Sequence, residues 1–573
     1  MACDGRRCHP SPSRGERGAR AAKRRGRVRV GLPGAGGESH PHLSSPLEGE
    51  GPAGTVVSAC HPPPTSLSAP AVLDPGAMTH AGHGTTGKGT TGSAAVAAAS
   101  VAEPLLCSLG GGGFLLAHPA DRVPVLYDFF AQTPGRARDG ADFRAVEVDF
   151  GPATQEFHVG LGAAAVPGAI RGIAAVHADL ASRPLSALVA PAAELARAGV
   201  PLRDFDAYAG RILAPILATT PEIAGVFQDP AGTPRAPGER PVQPQLAETL
   251  DRLGVEGDRP FHEGDLAQAL GELSRAAGGH LSADDLARYR VERRQPLARG
   301  YRDARLLTNP APSSGGMLVA FALDLLQAAG PAGSAGSAAQ TGALARAMRL
   351  TSDARGEAER LSARETPERA LFDPGLLARY RAAMAGRPRC GRGTTHISVA
   401  DAAGNLAAVT LSNGEGCGHA WPGTGIHLNN MLGEEDLHPD GFDAWPTDTR
   451  IASMMAPSVL ELGCGRQVAF GSGGSNRIRT ALVQVASLLV DYGLSAAEAV
   501  AAARLHVDRG LVSIEPGFTE PAIAAAAAEG QALKRWPERN MFFGGVHAVE
   551  RLPDGRVTGA GDPRRGGTAA VLA

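Results

Sequence analysis

Residues 394–410 read TTHISVADAAGNLAAVT, and this stretch decides the fold class. The side chains of Thr395–Ala400 alternate in polarity, which predicts a strand. Residues 401–405 (DAAGN) predict a turn, and Leu406–Ser412 predicts a second strand. Later in the chain, residues 467–470 predict a short strand that is followed by a helix, so the pattern indicates layers of strands and helices.

Thr394, the first residue of this stretch, is the candidate nucleophile. A threonine hydroxyl is a weak nucleophile at neutral pH and needs an adjacent base, which a free α-amine on the same residue can supply. An α-amine titrates near pH ~8, so it can take up and return a proton. This amine exists only if the chain is cut between Gly393 and Thr394, and Gly393 gives the backbone the freedom that such a bond needs. An ordinary loop that leads into a strand is the alternative interpretation.

The glycine-rich segment 471–475 (GSGGS) lies between the predicted strand and the predicted helix. Its backbone N–H groups, together with the helix N-terminus, could stabilise an oxyanion. Phosphate binding ranks lower, because the segment lacks the lysine and the Ser/Thr of a P-loop. A purely structural turn is the remaining interpretation.

Charged and metal-binding side chains give weaker signals. Glu434 and Glu435 follow a pair of asparagines, and a carboxylate in a pocket could hold a substrate ammonium group, although an exposed acidic run also explains the pair. The histidines and cysteines lack the spacing of metal ligands, so we expect neither a metal nor another cofactor. A net charge of −2 gives no field that favours nucleic acid.

The first 77 residues differ from the rest of the chain. They are rich in arginine at first and then rich in proline, glycine and serine. We expect residues 1–77 to be a disordered tail, or a translated leader ahead of a start near Met78. No apolar segment follows the arginines as it does in a signal peptide, which slightly favours the cytoplasm.

The region after this tail predicts mostly helices, with one apolar run at 94–116 that reaches membrane-span length. Glu103, Pro104 and the glycines at 110–113 interrupt the run, so we expect a core helix, a glycine turn and a strand rather than a membrane span. Residues 351–393 are polar and basic, and they predict an exposed connection where cleavage is tolerated.

Together these segments resemble the γ-glutamyltransferase family from about Ala94 to Gly566. The stretch at 394–410 is similar to the start of the family's small subunit, whose first threonine is the nucleophile. Other similar motifs follow in the family's order: NPAPSSGG (309–316), PGTGIHLNN (422–430), RIASMMAPS (450–458), GSGGSNRI (471–478) and GDPRR (561–565).

The resemblance implies an α+β fold of the four-layer αββα N-terminal nucleophile (Ntn) hydrolase type. It also implies self-cleavage before Thr394 into a large subunit (78–393) and a small subunit (394–573) that stay together as a heterodimer. The implied reaction is attack on a γ-glutamyl amide such as glutathione, an acyl-enzyme on Thr394, and transfer to water or to an amino acid. No membrane partner is expected, although members of the family are often exported.

By motif position, the resemblance also implies roles for residues around the nucleophile. Gly473 and Gly474 correspond to the oxyanion-hole pair, and Thr395 is expected to support Thr394. The implied substrate-binding residues are Ser453 for the glutamyl carboxylate, Glu434 for the α-amine, and Ser412 and Asn413 near further binding positions.

Two positions depart from the family pattern, and both concern recognition of the α-carboxylate. In YDFFAQTP (127–134), Phe130 stands where the family has an arginine, and Met454 replaces the second serine of a pair. Arg136 or Arg138 could reach the pocket instead. The sequence therefore supports the reaction type better than the substrate. An acylase for other acyl groups and an unprocessed, inactive binding protein are the alternatives.

Overall fold

The structure is a computed structural model, and it describes residues 55–59, 90–149, 154–361, 371–373, 376–377, 394–434, 437–438, 441–442, 444–508 and 510–572. All of these belong to the unit Gly51–Ala573. Gly393, Glu435 and Met78 lie outside the described residues, and so does most of the expected tail.

The strands form two central antiparallel sheets and some smaller ones. The strand bounds are β1 (Thr55–Ala59), β2 (Gly112–His118), β3 (Val125–Phe129), β4 (Arg144–Asp149), β5 (Thr154–Val159), β6 (Glu292–Arg294), β7 (Leu297–Tyr301), β8 (Ala304–Thr308), β9 (Thr395–Ala400), β10 (Leu406–Ser412), β11 (Ala420–Trp421), β12 (Ile426–His427), β13 (Ser458–Glu461), β14 (Gln467–Gly473), β15 (Leu505–Asp508), β16 (Leu511–Ile514), β17 (Ala532–Arg535), β18 (Gly545–Arg551), β19 (Val557–Ala560) and β20 (Thr568–Leu572). Within the described residues, the first sheet has the order β20-β1-β9-β10-β2-β3-β6, and the second has the order β19-β18-β14-β13-β8-β7.

Helices cover the outer face of each central sheet. The α-helix bounds are α1 (Thr90–Ala102), α2 (Ala169–Leu180), α3 (Leu185–Ala198), α4 (Asp204–Ile212), α5 (Ala214–Leu217), α6 (Pro221–Phe227), α7 (Pro244–Glu256), α8 (Arg259–His262), α9 (Asp265–Ala276), α10 (Ala283–Arg288), α11 (Ser314–Ala329), α12 (Ala338–Leu361), α13 (Asn476–Asp491), α14 (Ala496–Ala501) and α15 (Glu520–Ala527). Helices α1 and α2 contact the first sheet, α11, α13 and α14 contact the second, and β9 and β10 contact β14 across the interface between the sheets. This is the four-layer αββα arrangement that the resemblance implied.

The predicted hairpin of β9 and β10 is confirmed with the predicted bounds. The turn of the hairpin is stabilised by Asp401. Its two carboxylate oxygens accept hydrogen bonds from the backbone N–H and the side-chain amide of Asn405, at 2.9 and 2.8 Å. Alternation along β9 then separates two environments. Ile397 belongs to the apolar cluster under α1 and α2, whereas Ser398 donates a hydrogen bond to the carbonyl of His547 on the opposite sheet. Thr394 and His396 therefore lie on the side of the strand that faces the second sheet.

The run at 94–116 forms a helix, a turn and a strand, as predicted: α1 ends at Ala102 and β2 begins at Gly112. Nearly all described residues of α1 and β2 are buried, which explains their continuous apolar character. Across the part of the chain that the structure describes, no helix has both the length and the apolar character needed to cross a membrane.

Two expectations from the sequence are wrong in part. Residues 55–59 were expected in a disordered tail, but they form β1, which pairs with both β9 and β20. The segment TVVSA has the β-branched residues of a strand, and its two partner strands lie more than 300 residues later in the chain. Residues 351–361 were expected in an exposed connection, but they continue helix α12, where Thr351 and Ala354 are buried in the core.

Candidate active site

Thr394 lies at the interface of the two sheets, directly before β9. The residue is 3% exposed, and its carbonyl oxygen accepts a hydrogen bond from Nη1 of Arg565 at 3.1 Å. A Cβ atom added to Gly473, at the end of β14, would lie 1.7 Å from the same carbonyl oxygen. The backbone of the glycine-rich loop therefore touches the backbone of Thr394, which only a glycine at position 473 allows.

The loop after β14 has a strained backbone. Gly474 has φ 119° and Ser475 has φ 46°, and Ser475 is the residue before helix α13. Positive φ is costly for a residue with a side chain, and such strain is often found at functional sites. The N-terminus of α13 adds a positive partial charge near Thr394, because Ser475 and Thr394 line the same pocket. This end of the loop can therefore stabilise negative charge on an oxygen close to Thr394.

A pocket opens beside Thr394. Its wall combines the predicted site residues Thr394, Ser412, Glu434 and Ser453 with several apolar side chains. The lining residues are Phe130, Thr394, Ser412, Gly414, Met431, Glu434, Leu437, Ser453, Met454, Met455 and Ser475. Among these described residues, Glu434 carries the one ionisable acid and no side chain is basic.

Both departures from the family pattern lie in this pocket wall. Phe130 is buried and stacks on Phe114 with ring centroids 5.6 Å apart. Met454 is buried as well, with Oγ of Ser314 3.7 Å from its sulfur. The two positions that the resemblance assigns to carboxylate binding thus present a ring and a thioether.

An arginine does lie close to Phe130, but it donates hydrogen bonds to the backbone and to a tyrosine and is not among the described lining residues of the pocket. Arg450 donates to the carbonyl oxygen of Phe130 and to the hydroxyl of Tyr289, and its Nη1 is 3.7 Å from Oδ1 of Asp128. Neither Arg136 nor Arg138 is among the described residues that line the pocket. The alternative in which one of those two arginines binds the carboxylate therefore has no support from the described lining.

The remaining predicted residues take different positions. Oγ of Ser412 accepts the backbone N–H of Gly414 at 3.0 Å, and a Cβ added to Gly414 would lie 2.9 Å from Oε1 of Glu434. Oγ of Ser453 accepts the N–H of Met455 at 3.1 Å. Asn413 is fully buried behind the described lining, and neither polar atom of its side chain has a hydrogen-bond partner in the described part of the chain.

Thr395 faces away from the pocket, towards the end of helix α1. Its hydroxyl donates to Oε2 of Glu103 at 2.5 Å, and Oε1 of Glu103 is 3.3 Å from Nη1 of Arg203. All three side chains are buried. Sequence reasoning used Glu103 only to reject a membrane span, although a charge inside an apolar run is itself a signal of a buried polar contact.

His396 is close to the nucleophile but is already engaged. Its Nδ1 is 2.7 Å from the hydroxyl of Thr410 and its Nε2 is 2.9 Å from the hydroxyl of Ser398. Burial holds the pKa of His396 well below its usual range, so the ring is neutral at pH 7. The α-amine that cleavage would create on Thr394 therefore remains the natural base for its own hydroxyl.

No group of three His, Cys, Asp or Glu side chains among the described residues is arranged to hold a metal ion. His427 is an example of a described histidine that is part of the core instead of a metal site. Burial lowers its pKa to about 3 and leaves the ring neutral.

Comparison with known proteins gives consistent results. The family model for gamma-glutamyltranspeptidase matches residues 89–572. The Acylase ACY 1 proenzyme of Pseudomonas sp. (strain V22) is 31% identical over 493 residues, which cover 82% of this chain and 87% of that protein. The Glutathione hydrolase proenzyme of Escherichia coli (strain K12) is 28% identical over 504 residues, covering 81% and 84%. The crystal structure of cephalosporin acylase from Bacillus halodurans superposes with a TM-score of 0.75 at 22% identity, covering 91% of this chain and 96% of the other, and so shares the fold.

Proposed function

The chain belongs to the γ-glutamyltranspeptidase family, and we propose that it is an N-terminal-threonine amidohydrolase whose acyl group lacks the α-carboxylate of a γ-glutamyl group. The observation that carries the proposal is the pocket beside Thr394, whose described lining includes Glu434, Phe130 and Met454 and no basic side chain. Activity requires cleavage between Gly393 and Thr394, because the catalytic base is the α-amine that cleavage releases.

The reaction has two halves. The α-amine of Thr394 takes the proton of the hydroxyl as Oγ1 attacks the substrate carbonyl, and the oxyanion forms beside Gly473 and Gly474. Collapse of this intermediate breaks the C–N bond, and the leaving amine takes the proton from the α-ammonium. Water, or an acceptor amine, then attacks the acyl-Thr394 ester with the same α-amine as base, which releases the acyl group and restores the hydroxyl.

The charges of the pocket support the choice of acyl group. A carboxylate is usually held by charge-assisted bonds from a guanidinium, each contributing about 1.5–3 kcal/mol. Phe130 and Met454 cannot make such bonds, and a substrate carboxylate near Glu434 would be repelled. A substrate ammonium, in contrast, would be attracted by the Glu434 carboxylate. An amide of 4-aminobutyric acid has this ammonium and lacks the α-carboxylate, so we take it as the model substrate.

Hydrolysis or transfer of γ-glutamyl groups, as from glutathione, is the second candidate. The position of Ser453 and Glu434 in the same pocket favours it, because the family resemblance assigns both residues to the glutamyl group. Under either candidate the acceptor is water or an amino acid, and the two processed chains act as one heterodimer.

The experiment compares two anilides with the purified enzyme. We expect kcat/KM for 4-aminobutyryl anilide to equal or exceed that for γ-glutamyl anilide, because the α-carboxylate gains nothing in this pocket. Phe130→Arg should raise kcat/KM for the γ-glutamyl compound about ten- to hundred-fold relative to the 4-aminobutyryl compound.

Phe130→Leu is the matched control, since it opens similar space without adding a charge, and it should leave the ratio unchanged. A preference of a hundred-fold or more for the γ-glutamyl anilide in the unmodified enzyme would overturn the substrate assignment and favour the second candidate. Absence of turnover of any amide by cleaved enzyme would instead overturn the amidohydrolase.

A further inference from the structure

We propose that Arg565 is a positioning residue that fixes Thr394 and keeps its α-amine in the free-base form at neutral pH. The inference rests on the proposed function, because the amine exists only after cleavage. Its first support is the hydrogen bond of 3.1 Å from Nη1 of Arg565 to the carbonyl oxygen of Thr394, between two residues that are both 3% exposed.

The guanidinium of Arg565 lies beside both Thr394 and the glycine-rich loop. A Cβ added to Gly473 would lie 3.0 Å from Nη1, and one added to Gly474 would lie 3.3 Å from Nη2. The aliphatic part of Arg565 crosses Gly545, where an added Cβ would lie 2.6 Å from Cδ. Gly545 is paired with Gly473 in the sheet, so two opposed glycines leave the space in which this side chain reaches Thr394.

The backbone that carries Arg565 is anchored by buried ion pairs. Arg565 ends the short 3-10 helix Pro563–Arg565, before which Asp562 accepts the N–H of Arg564 at 3.0 Å. Asp562 also pairs with Arg504 at 2.6 Å, and Arg564 pairs with Glu515 at 2.6 Å. The neighbouring arginines thus have structural roles, while Arg565 is directed at the reacting residue.

The charge of Arg565 acts directly on the amine. The amide nitrogen and carbonyl oxygen of one residue are at most about 3.6 Å apart, so the guanidinium lies within about 7 Å of the Thr394 amine. Arginine is charged at every working pH, and a nearby positive charge disfavours an ammonium group, which lowers its pKa by about one unit at such distances. An α-amine with a pKa of ~8 is only about one-tenth free base at pH 7, whereas a pKa of ~7 leaves about half of it ready to act.

Among the described residues near Thr394, one acid is already paired with an arginine and two histidines are neutral. Glu103 accepts a hydrogen bond from Thr395 and is paired with Arg203, and Glu434 lines the same pocket as Thr394, where the proposed substrate ammonium would bind. His396 lies on β9 and His547 lies on β18. Burial lowers the pKa of both side chains, to about 4 for His547, so both rings are neutral at pH 7. Arg477, at the start of α13, donates to the carbonyl of Phe542 and adds to the positive field rather than opposing it.

The test is the pH profile of kcat/KM for 4-aminobutyryl anilide, or for whichever anilide the cleaved enzyme hydrolyses. Arg565→Gln keeps a hydrogen-bond donor and removes the charge. We expect its acidic limb to move up by about one pH unit, so that activity falls about ten-fold at pH 6.5 but less than three-fold at pH 9. Arg565→Lys should restore much of the shift. Arg479→Gln, which removes another buried arginine bound to Asp508 and Ser352, should leave the limb in place.

A loss of activity by the same factor at every pH in Arg565→Gln would show a merely structural role and would overturn the proposal. If this variant does not cleave, the unmodified enzyme is tested instead. Cyanate carbamylates the free α-amine of Thr394, and the mass of the small chain reports the rate. We expect the plot of this rate against pH to have its midpoint near pH 7. Titration at pH 8 or above would also overturn the proposal. An uncleaved protein with full activity would reject the proposed function itself, which is a different result.

Discussion

At the scale of the residue, Gly473 occupies a position where one added methyl group has no space. Its missing Cβ would lie 1.7 Å from the carbonyl oxygen of Thr394. We therefore expect Gly473→Ala to push the loop away from the nucleophile and to lower kcat by ~10²–10³, the usual cost of losing an oxyanion donor, with a smaller change in KM. Steady-state kinetics on cleaved enzyme measure this.

Gly300→Ala is the matched control, because an added Cβ at this exposed position of β7 meets nothing within 4 Å. It should turn over like the unmodified enzyme. If Gly473→Ala also did so, the loop would have no part in catalysis and the oxyanion site would have to be sought elsewhere.

At the scale of the element, strand β1 connects two strands that would otherwise be sheet edges. It pairs with β20 along Thr55–Ala59 and with β9, the strand that follows Thr394. A chain that begins at Met78 lacks β1 and leaves unpaired backbone groups on both neighbours, which is unfavourable for folding and promotes aggregation. We expect such a truncation to have a lower melting temperature and a lower soluble yield than a chain that begins at Gly51.

The chain that begins at Gly51 is the appropriate control, because it removes the same basic segment but keeps β1. Equal melting temperatures and equal cleavage for the two truncations would show that β1 contributes nothing to the sheet. The leader interpretation of residues 1–77 would then stand.

At the scale of the whole molecule, the two parts on either side of Thr394 share one sheet. Strand β1 comes from the part before Thr394 and lies between β20 and β9 from the part after it, and β10 from the later part pairs with β2 from the earlier one. Cleavage before Thr394 breaks no strand pairing, so we expect two chains that elute together in size exclusion and separate only in denaturant. The smaller chain, residues 394–573, should begin Thr-Thr-His-Ile on Edman sequencing.

Thr394→Ala should remain a single inactive chain of unchanged elution volume, because it removes the nucleophile for both reactions. Intact-mass measurement distinguishes the two forms. A fully active protein of one uncut chain would contradict the mechanism, and separate elution of the two chains would contradict the shared sheet.

The sequence by itself determined the features that depend on local patterns. The alternation of polar and apolar residues predicted the hairpin β9–β10, and helix-breaking residues inside an apolar run predicted α1 and β2. The order of the motifs indicated Thr394 and the loop 471–475 as candidate site residues. The predictions of the hairpin, the helix and the strand were confirmed because each depends on residues that are close together in the chain, whereas the roles of Thr394 and the loop stay predictions.

The tertiary structure alone decided which distant groups meet. It placed β1 between β9 and β20, directed Arg450 to the carbonyl of Phe130, joined Glu103 to Thr395, and brought Arg565 to the carbonyl of Thr394. None of these contacts produces a periodic pattern in the sequence, because the partners are more than a hundred residues apart. The sequence also does not show whether an arginine side chain faces solvent, a carboxylate or a nucleophile. The contacts of such a side chain are determined by the packing of the two sheets against each other, and therefore by the whole fold rather than by any single segment.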